Sequence, residues 1–135
     1  MLKIEKDSDL WKPSRVFKSA RMRNHFSTSV RYENHLYGFD DSTLICMNFL
    51  TGKVEWKERG FAKGSVLVVG DQLIIYGENG TLAQAEANPA EYVERSRIQF
   101  SKSQDSCWSV PVVSNGRLYV RDQERLVCFD VKAGK

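Results

Sequence analysis

A repeat of about 40 residues constrains the fold of this chain more than any other feature of its sequence. Leucines mark two equivalent positions of the repeat: Leu36, Leu73 and Leu118 at one, and Leu44, Leu82 and Leu126 at the other. Short runs with alternating apolar residues lie between turns rich in Gly, Asn and Asp, and the 3.6-residue periodicity of a helix is absent. A period near 40 residues with four short strands in each unit is typical of the blades of a β-propeller.

The stretch 44–56 is the clearest of these units. It predicts a strand, a tight turn at Thr51-Gly52-Lys53 and a second strand that ends at Trp56. Gly52 can take the positive φ that such a turn needs at no steric cost. Asn79-Gly80 and Asn115-Gly116 are strong hairpin signals in the other two units.

Three further strands are predicted outside the stretch 44–56. Two of them span 26–32 and 107–113, and a short one lies around Val16. Pro111 can be accommodated in a strand only at an edge, an end or a bulge.

These patterns predict an all-β chain made of β-propeller-type blades, each with four antiparallel strands. We expect about three blades, and therefore an incomplete ring, within a single domain over residues 1–135. The approximate blades are 25–57, 62–100 and 106–135. Residues 8–12 contain Leu10-Trp11-Lys12, which resembles Glu55-Trp56-Lys57 at the close of the first blade, so we expect them to complete a blade.

One full copy and one partial copy of a turn motif carry a family resemblance. The full copy fits the pattern A-x-D-x-x-T-G-K-x-x-W at Cys46, Asn48, Thr51, Gly52, Lys53 and Trp56. The partial copy keeps Cys128, Asp130 and Gly134, with Ala133 in place of threonine. The chain thus resembles, over about residues 25 to 135, the pyrroloquinoline-quinone-like repeat of the quinoprotein dehydrogenase-like β-propellers. It departs from that pattern where Asn48 replaces the usual Asp and Cys46 the usual Ala.

The resemblance implies a structural role for the motif, because the family's tryptophan packs between neighbouring blades and hydrogen bonds fix the turn. We therefore interpret the motif residues as docking residues, with Trp11 as a further candidate. The family's enzymes hold their quinone at the centre of a complete eight-blade ring, with a calcium ion, acidic ligands and an adjacent disulfide. The sequence offers no candidate for these, so we assign no catalytic, cofactor-binding or metal-binding residue and expect a protein that is not an enzyme.

Other polar and aromatic clusters have simpler interpretations. Residues 27–29 contain two serines near His25, but serines are common in strands and this grouping is weak support for a nucleophile and its base. Asp40-Asp41 is typical of a turn. Three tyrosines fall at or near one position of each unit, where we expect packing between blades rather than ligand binding: Tyr37, Tyr76 and Tyr119.

Charge and hydropathy exclude several classes of partner. The net charge of +3 comes from 20 basic and 17 acidic residues scattered along the chain, which argues against a nucleic-acid tail. No apolar run reaches the roughly 18 residues of a membrane span, and the N-terminus lacks a signal-peptide core. We therefore expect no membrane insertion, and a cytoplasmic location if the chain is complete.

The three cysteines, Cys46, Cys107 and Cys128, include no C-x-x-C pair. Their odd number argues against a closed disulfide framework. Cys46 and Cys128 match in two units, and we interpret both as small buried hydrophobic residues that should react slowly with thiol reagents.

Three functions remain open from the sequence. The favoured one is a non-catalytic β-propeller scaffold or interaction module. The alternatives are a small-ligand or glycan binder that uses the propeller face, and a fragment of a quinone-dependent dehydrogenase. For partners, we expect a homodimer that completes the ring, in which residues 8–12 of one copy close the last blade of the other. The competing expectation is that the missing blades belong to a larger protein.

Overall fold

The computed structural model describes residues 1–101 and 107–132, and the described chain is all-β. Its thirteen strands are β1 (Leu2–Asp7), β2 (Leu10–Arg15), β3 (Val30–Tyr32), β4 (His35–Asp40), β5 (Thr43–Asn48), β6 (Val54–Glu58), β7 (Gly64–Val69), β8 (Gln72–Gly77), β9 (Thr81–Glu86), β10 (Glu94–Gln99), β11 (Val112–Ser114), β12 (Arg117–Arg121) and β13 (Leu126–Asp130). No helix occurs in these two described ranges.

The strands form a hairpin and three antiparallel sheets in chain order. Blade 1 is the sheet β3–β6, blade 2 is β7–β10 and blade 3 is β11–β13. Each blade is a simple up-and-down meander, in which every strand pairs with the next along the chain. The expected all-β architecture of four-stranded antiparallel blades is confirmed. Blade 3 has three strands among the described residues.

Two apolar layers hold the blades together, one on each side of blade 2. The first layer lies between blades 1 and 2 and contains Tyr37, Phe39, Leu44, Cys46, Trp56, Phe61, Val66, Leu73, Ile75, Ala83, Ala85 and Ala87. The second lies between blades 2 and 3 and contains Tyr76, Leu82, Phe100, Cys107, Leu118 and Val120. Strand residues alternate between the two faces of a sheet, so blade 2 supplies one set of side chains to each layer. The expected packing of Tyr37 and Tyr76 between blades is therefore observed.

An extended segment without strands, residues 16–29, lies over the other face of blade 1. Its Phe17 ring packs on the turn at Gly52, where an added Cβ would lie 2.6 Å from the ring. Ser29 packs in the same way on Gly38, at 2.9 Å from the position of an added Cβ. Any residue larger than glycine at these two positions would therefore displace the segment from the sheet. Blade 1 is thus covered on both faces.

Two strands begin later than the sequence predicts. The predicted strand over 26–32 begins at Val30. Before it, the hydroxyl of Ser27 donates to the backbone oxygen of Gly64, 2.8 Å away, so this stretch bonds to β7 of blade 2. The predicted strand over 107–113 begins at Val112. Pro111 lacks the N–H that a ladder needs, so pairing starts directly after it.

The N-terminal region is a hairpin rather than one closing strand. Residues 8–12 were expected to complete a blade, and a short strand was expected around Val16. Instead, Ser8 takes a positive φ of 56° and returns β2 onto β1. Both strands are exposed along their whole length. Within the described chain the hairpin pairs with no blade.

Candidate interaction surface

Trp56 shows how two blades dock in this chain. It lies on β6 of blade 1, with 9% of its surface exposed. Its indole N–H donates to the backbone oxygen of Asn88 at 2.8 Å, and its ring centroid lies 5.6 Å from that of Tyr92. Asn88 and Tyr92 belong to the connection between β9 and β10, so both contacts cross to blade 2. The ring centroid of Tyr37, in blade 1 itself, lies 5.9 Å from that of Trp56.

The turn before Trp56 is closed by side-chain acceptors. The amide oxygen of Asn48 accepts from the backbone N–H groups of Leu50 and Thr51, at 3.0 and 3.1 Å. The hydroxyl of Thr51 accepts from the N–H of Lys53 at 3.2 Å. Gly52 has a φ of 74°, as the turn requires. Asn48 thus supplies the same kind of oxygen acceptor as an aspartate would.

The partial motif in blade 3 begins in the same way. A carboxylate oxygen of Asp130 accepts from the N–H of Lys132 at 3.1 Å, as Asn48 does from the N–H of Leu50. Gly134 lies outside the described residues.

A row of side chains crosses blade 1 and ends at the docking tryptophan. Cross-strand partners along this docking row are Val30, Tyr37, Cys46 and Trp56. Blade 3 repeats the first three residues in the same register, as Val112, Tyr119 and Cys128. The fourth position would lie on a strand beside β13, and no described strand pairs with that edge of β13.

The two rows differ in what covers them. Blade 2 buries the row of blade 1, and Tyr37 and Cys46 are inaccessible to solvent. Burial raises the pKa of the Cys46 thiol to about 11. On blade 3 Val112 and Cys128 are exposed, and 66% of the surface of the neighbouring Leu126 is accessible to solvent.

The expectation that Cys128 is buried is therefore wrong for this chain alone. No described residue packs over the face of blade 3 that carries Val112, Tyr119, Leu126 and Cys128, named here the outer face of blade 3. The expected burial of Cys46 is confirmed, and its slow labelling stays a prediction.

Comparisons with known proteins support the architecture. No family model and no curated protein matches the chain, so the resemblance to the pyrroloquinoline-quinone-like repeat stays a prediction. Among solved structures, BamB from Moraxella catarrhalis aligns with a TM-score of 0.65 at 14% identity, covering 79% of this chain and 34% of that one. The computationally designed Ika4 protein aligns with a TM-score of 0.68 at 11% identity, covering 90% of this chain and 76% of that one. The chain has a β-propeller-like fold.

The chain thus spans about a third of that BamB chain. At 14% and 11% identity, these two similarities concern the fold alone.

Trp11 lies apart from the propeller blades. It is 67% exposed on β2, and it pairs across the hairpin with Lys6. The alternation of the hairpin places Trp11 on one face with Leu2, Ile4 and Pro13. The opposite face carries the ion pairs Lys3–Glu5 and Lys12–Asp7. The hairpin is amphipathic in part, since Lys6 and Arg15 share the face of Trp11 and Leu10 lies on the other. The Trp11 face is its more apolar side and is open to solvent. Sequence reasoning found Trp11 but not the strand opposite it.

Two carboxylates at equivalent ends of blades 1 and 3 are nearly buried. Burial opposes the ionisation of Asp40, but the hydrogen bonds and charge of Arg23 outweigh it and lower the pKa of Asp40. In blade 3, burial of Asp122 is likewise outweighed, here by backbone N–H groups and the guanidinium of Arg125, so its pKa is also lowered. Asp40 attaches segment 16–29 to blade 1, and Asp122 fixes the turn between β12 and β13, so both carboxylates have a structural role.

The weak catalytic grouping does not assemble. His25 contacts Asp41 at 2.9 Å, and the hydroxyl of Ser29 donates to the sulfur of Met22. Ser27 donates to a backbone oxygen, as described above. These three side chains therefore act on neighbouring segments, and none of the bonds joins a serine to His25.

The described residues also do not fit the quinone and calcium site of the family's enzymes. No group of three or more His, Cys, Asp or Glu side chains is close enough to hold a metal ion in ranges 1–101 and 107–132. The adjacent acids Asp40 and Asp41 are committed to Arg23 and His25. Because the described ranges contain no helix, they also contain no helix that could cross a membrane.

Proposed function

We propose that this protein is a non-catalytic β-propeller scaffold that acts as an interaction module through the outer face of blade 3. The observation that carries this proposal is the repeated docking row. Val112, Tyr119 and Cys128 reproduce the residues that blade 1 buries against blade 2, yet in blade 3 they face solvent. A face with this composition is suited to packing against another blade.

The chemistry of the outer face favours an apolar partner. Val112 and Leu126 are exposed at its two ends, and Tyr119 is half-buried between them. Full burial of a large apolar side chain contributes about 1.5–3 kcal/mol. A contiguous apolar face of this kind on a soluble domain marks an interaction site.

We propose a second copy of this chain as the partner. The outer edges of β2 and β13 are both unpaired among the described strands, so the two can form an antiparallel ladder between copies. In that ladder Trp11 of one copy lies beside Cys128 of the other copy, just as Trp56 lies beside Cys46 within blade 1. The apolar side of the hairpin, with Ile4 next to Trp11, supplies further surface to cover the outer face.

Symmetry closes such an assembly at two copies. Each chain donates one hairpin and accepts one, and a two-fold arrangement satisfies both needs at once. Two chains of about three blades give about six, which lies within the four to eight blades of closed propellers. Blades of a longer protein are the competing occupants of the same face.

Light scattering on a size-exclusion column tests the proposal at micromolar concentration. We expect a discrete dimer for the protein and for Leu50→Ala, a control that removes an exposed apolar side chain from another surface. Trp11→Ala should give a folded monomer, because Trp11 contacts little within its own chain. A stable wild-type monomer, or irregular aggregates in place of a dimer, would overturn the second copy as partner.

The same preparation tests the non-catalytic assignment. After addition of pyrroloquinoline quinone and calcium, we expect no protein-bound chromophore in an absorbance scan and no dye-linked oxidation of alcohols. A stoichiometric chromophore that supports oxidation would replace the scaffold with the dehydrogenase alternative.

A further inference from the structure

The junction between blades 2 and 3 lacks the tryptophan that fills the junction between blades 1 and 2. Cross-strand pairs place Ile74, Gln84 and Ser96 side by side on blade 2. On blade 1 the equivalent positions hold Tyr37, Cys46 and Trp56. Ser96 therefore stands where the docking indole stands in blade 1. A hydroxymethyl group is far smaller than an indole, so the position is left unfilled.

A groove opens at this position. It has a volume of about 230 Å³, and an adjoining groove of about 360 Å³ shares several of its walls. Six side chains define what we name the interblade groove: Ile74, Gln84, Ser96, Ile98, Leu118 and Phe129. All six belong to blades 2 and 3, so the groove is separate from the outer face of blade 3.

The walls combine apolar surface with a few hydrogen-bonding groups. Ile74, Leu118 and Phe129 offer apolar contact, and Phe129 adds an aromatic ring. Gln84 and Ser96 carry oxygen atoms that can accept a hydrogen bond at one side. Apolar walls with a small number of placed polar groups are typical of small-molecule sites.

The occupant of the equivalent junction indicates which ligand suits this composition. The indole of Trp56 is held by inclined ring contacts with Tyr37 and Tyr92 and by one acceptor, the backbone oxygen of Asn88. Lys132, four residues after Cys128, holds in blade 3 the position that Asn88 holds in blade 2, and it lines the adjoining groove. The groove thus has equivalents of Tyr37 and Asn88 from the Trp56 environment, at Ile74 and Lys132.

We propose that the interblade groove binds a small planar aromatic ligand of the indole class. The ring lies between Ile74 and Phe129, and its N–H is directed to an oxygen on the polar side of the groove. A dry apolar cavity of about 150 Å³ is enough to hold benzene, so a groove of this size accommodates a two-ring ligand. This site does not depend on the pairing of two copies.

Indole itself is the probe for the test. We would titrate it into the full, ¹⁵N-labelled chain and follow the backbone amide signals by NMR. Saturable shifts should be largest at Gln84, Ser96 and Leu118. Absence of saturable shifts up to the solubility limit, or shifts centred elsewhere in the chain, would overturn the proposal.

Two tryptophan substitutions provide the matched comparison. Ser96→Trp supplies the chain's own indole to the groove, so the saturable shifts should be lost and the melting temperature should rise. Lys57→Trp adds an indole at an exposed position on β6 of blade 1, away from the groove, and should keep the shifts. Equal binding of indole by Ser96→Trp would contradict the site; if that variant fails to fold, the location of the shifts in the wild type and in Lys57→Trp still decides.

Discussion

At the scale of residues, Trp56 combines an apolar and a polar contact between the same two blades. Its ring packs against Tyr37 and Tyr92, and its N–H satisfies the backbone oxygen of Asn88. Truncating a buried tryptophan removes transfer energy and leaves a cavity. We expect Trp56→Ala to lower the free energy of unfolding by about 3–5 kcal/mol, as measured by urea denaturation.

Graded substitutions separate the two contributions of Trp56. Trp56→Phe keeps a ring but loses the donor to Asn88, and we expect an intermediate loss that includes about 1 kcal/mol for the hydrogen bond. Trp108→Ala is the comparison, since more than half of the Trp108 surface is exposed. Its loss should be clearly smaller. If Trp56→Ala unfolds at the wild-type urea concentration, Trp56 does not dock the blades.

The sequence motif identifies Trp56, Gly52 and Asn48, because their spacing is fixed within one turn. It does not identify Asn88 or Tyr92, which receive the tryptophan. These two lie in a connection of the next blade, where no periodic pattern constrains the chain. Contacts within one hairpin can therefore be predicted from spacing, whereas contacts between blades depend on how the loops fold.

At the scale of elements, an ion pair attaches the extended segment 16–29 to blade 1. The guanidinium of Arg23 donates from Nε to Asp40 at 2.8 Å, and Arg21 lies 3.6 Å from the other carboxylate oxygen. Burial alone would raise the pKa of Asp40, but these arginines reverse the effect and lower it. A carboxylate whose folded pKa is lowered stabilises the fold above its unfolded pKa, and this contribution is lost as the pH falls through the folded pKa.

We therefore expect the urea midpoint to fall as the pH is lowered from neutral to below about 4, the unfolded pKa of an aspartate. Asp40→Asn should be less stable at neutral pH and should lose part of this acid dependence. The remaining part belongs to Glu94 and Asp122, whose pKa values are also lowered. Asp41→Asn, at the neighbouring half-buried acid that contacts His25 and not Arg23, is the control. If the urea midpoint of Asp40→Asn falls with pH as steeply as that of the wild type, the ion pair of Asp40 with Arg23 does not stabilise the fold.

Hairpins are the elements that the sequence predicts best. Asn115 and Gly116 both have positive φ, at 51° and 71°, which is the geometry that an Asn-Gly turn favours. The start of β11 was missed because strand-forming residues precede Pro111, and the ladder can begin only after that proline. The hairpin of β1 and β2 was missed because the charged residues of one face conceal the apolar alternation of the other.

At the scale of the whole molecule, the two ends of the strip of blades differ. Segment 16–29 covers the end at blade 1, whereas the outer face of blade 3 is open in the single chain. The pair Cys46 and Cys128 reports on this difference, because the two thiols hold equivalent positions in the two blades. Cys46 is buried with a raised pKa and should label slowly under all native conditions.

Cys128 should label at a rate that depends on protein concentration. In dilute solution it is exposed and should react rapidly with a thiol reagent, as mass spectrometry of the labelled peptides would show. At concentrations where two copies assemble, β2 of one chain lies beside β13 of the other and its Trp11 covers the thiol, so the rate should fall. Trp11→Ala should restore rapid labelling at high concentration while Cys46 remains protected. A Cys128 rate that is the same at every concentration would mean that the outer face of blade 3 stays uncovered and that its partner is not a second copy of this chain.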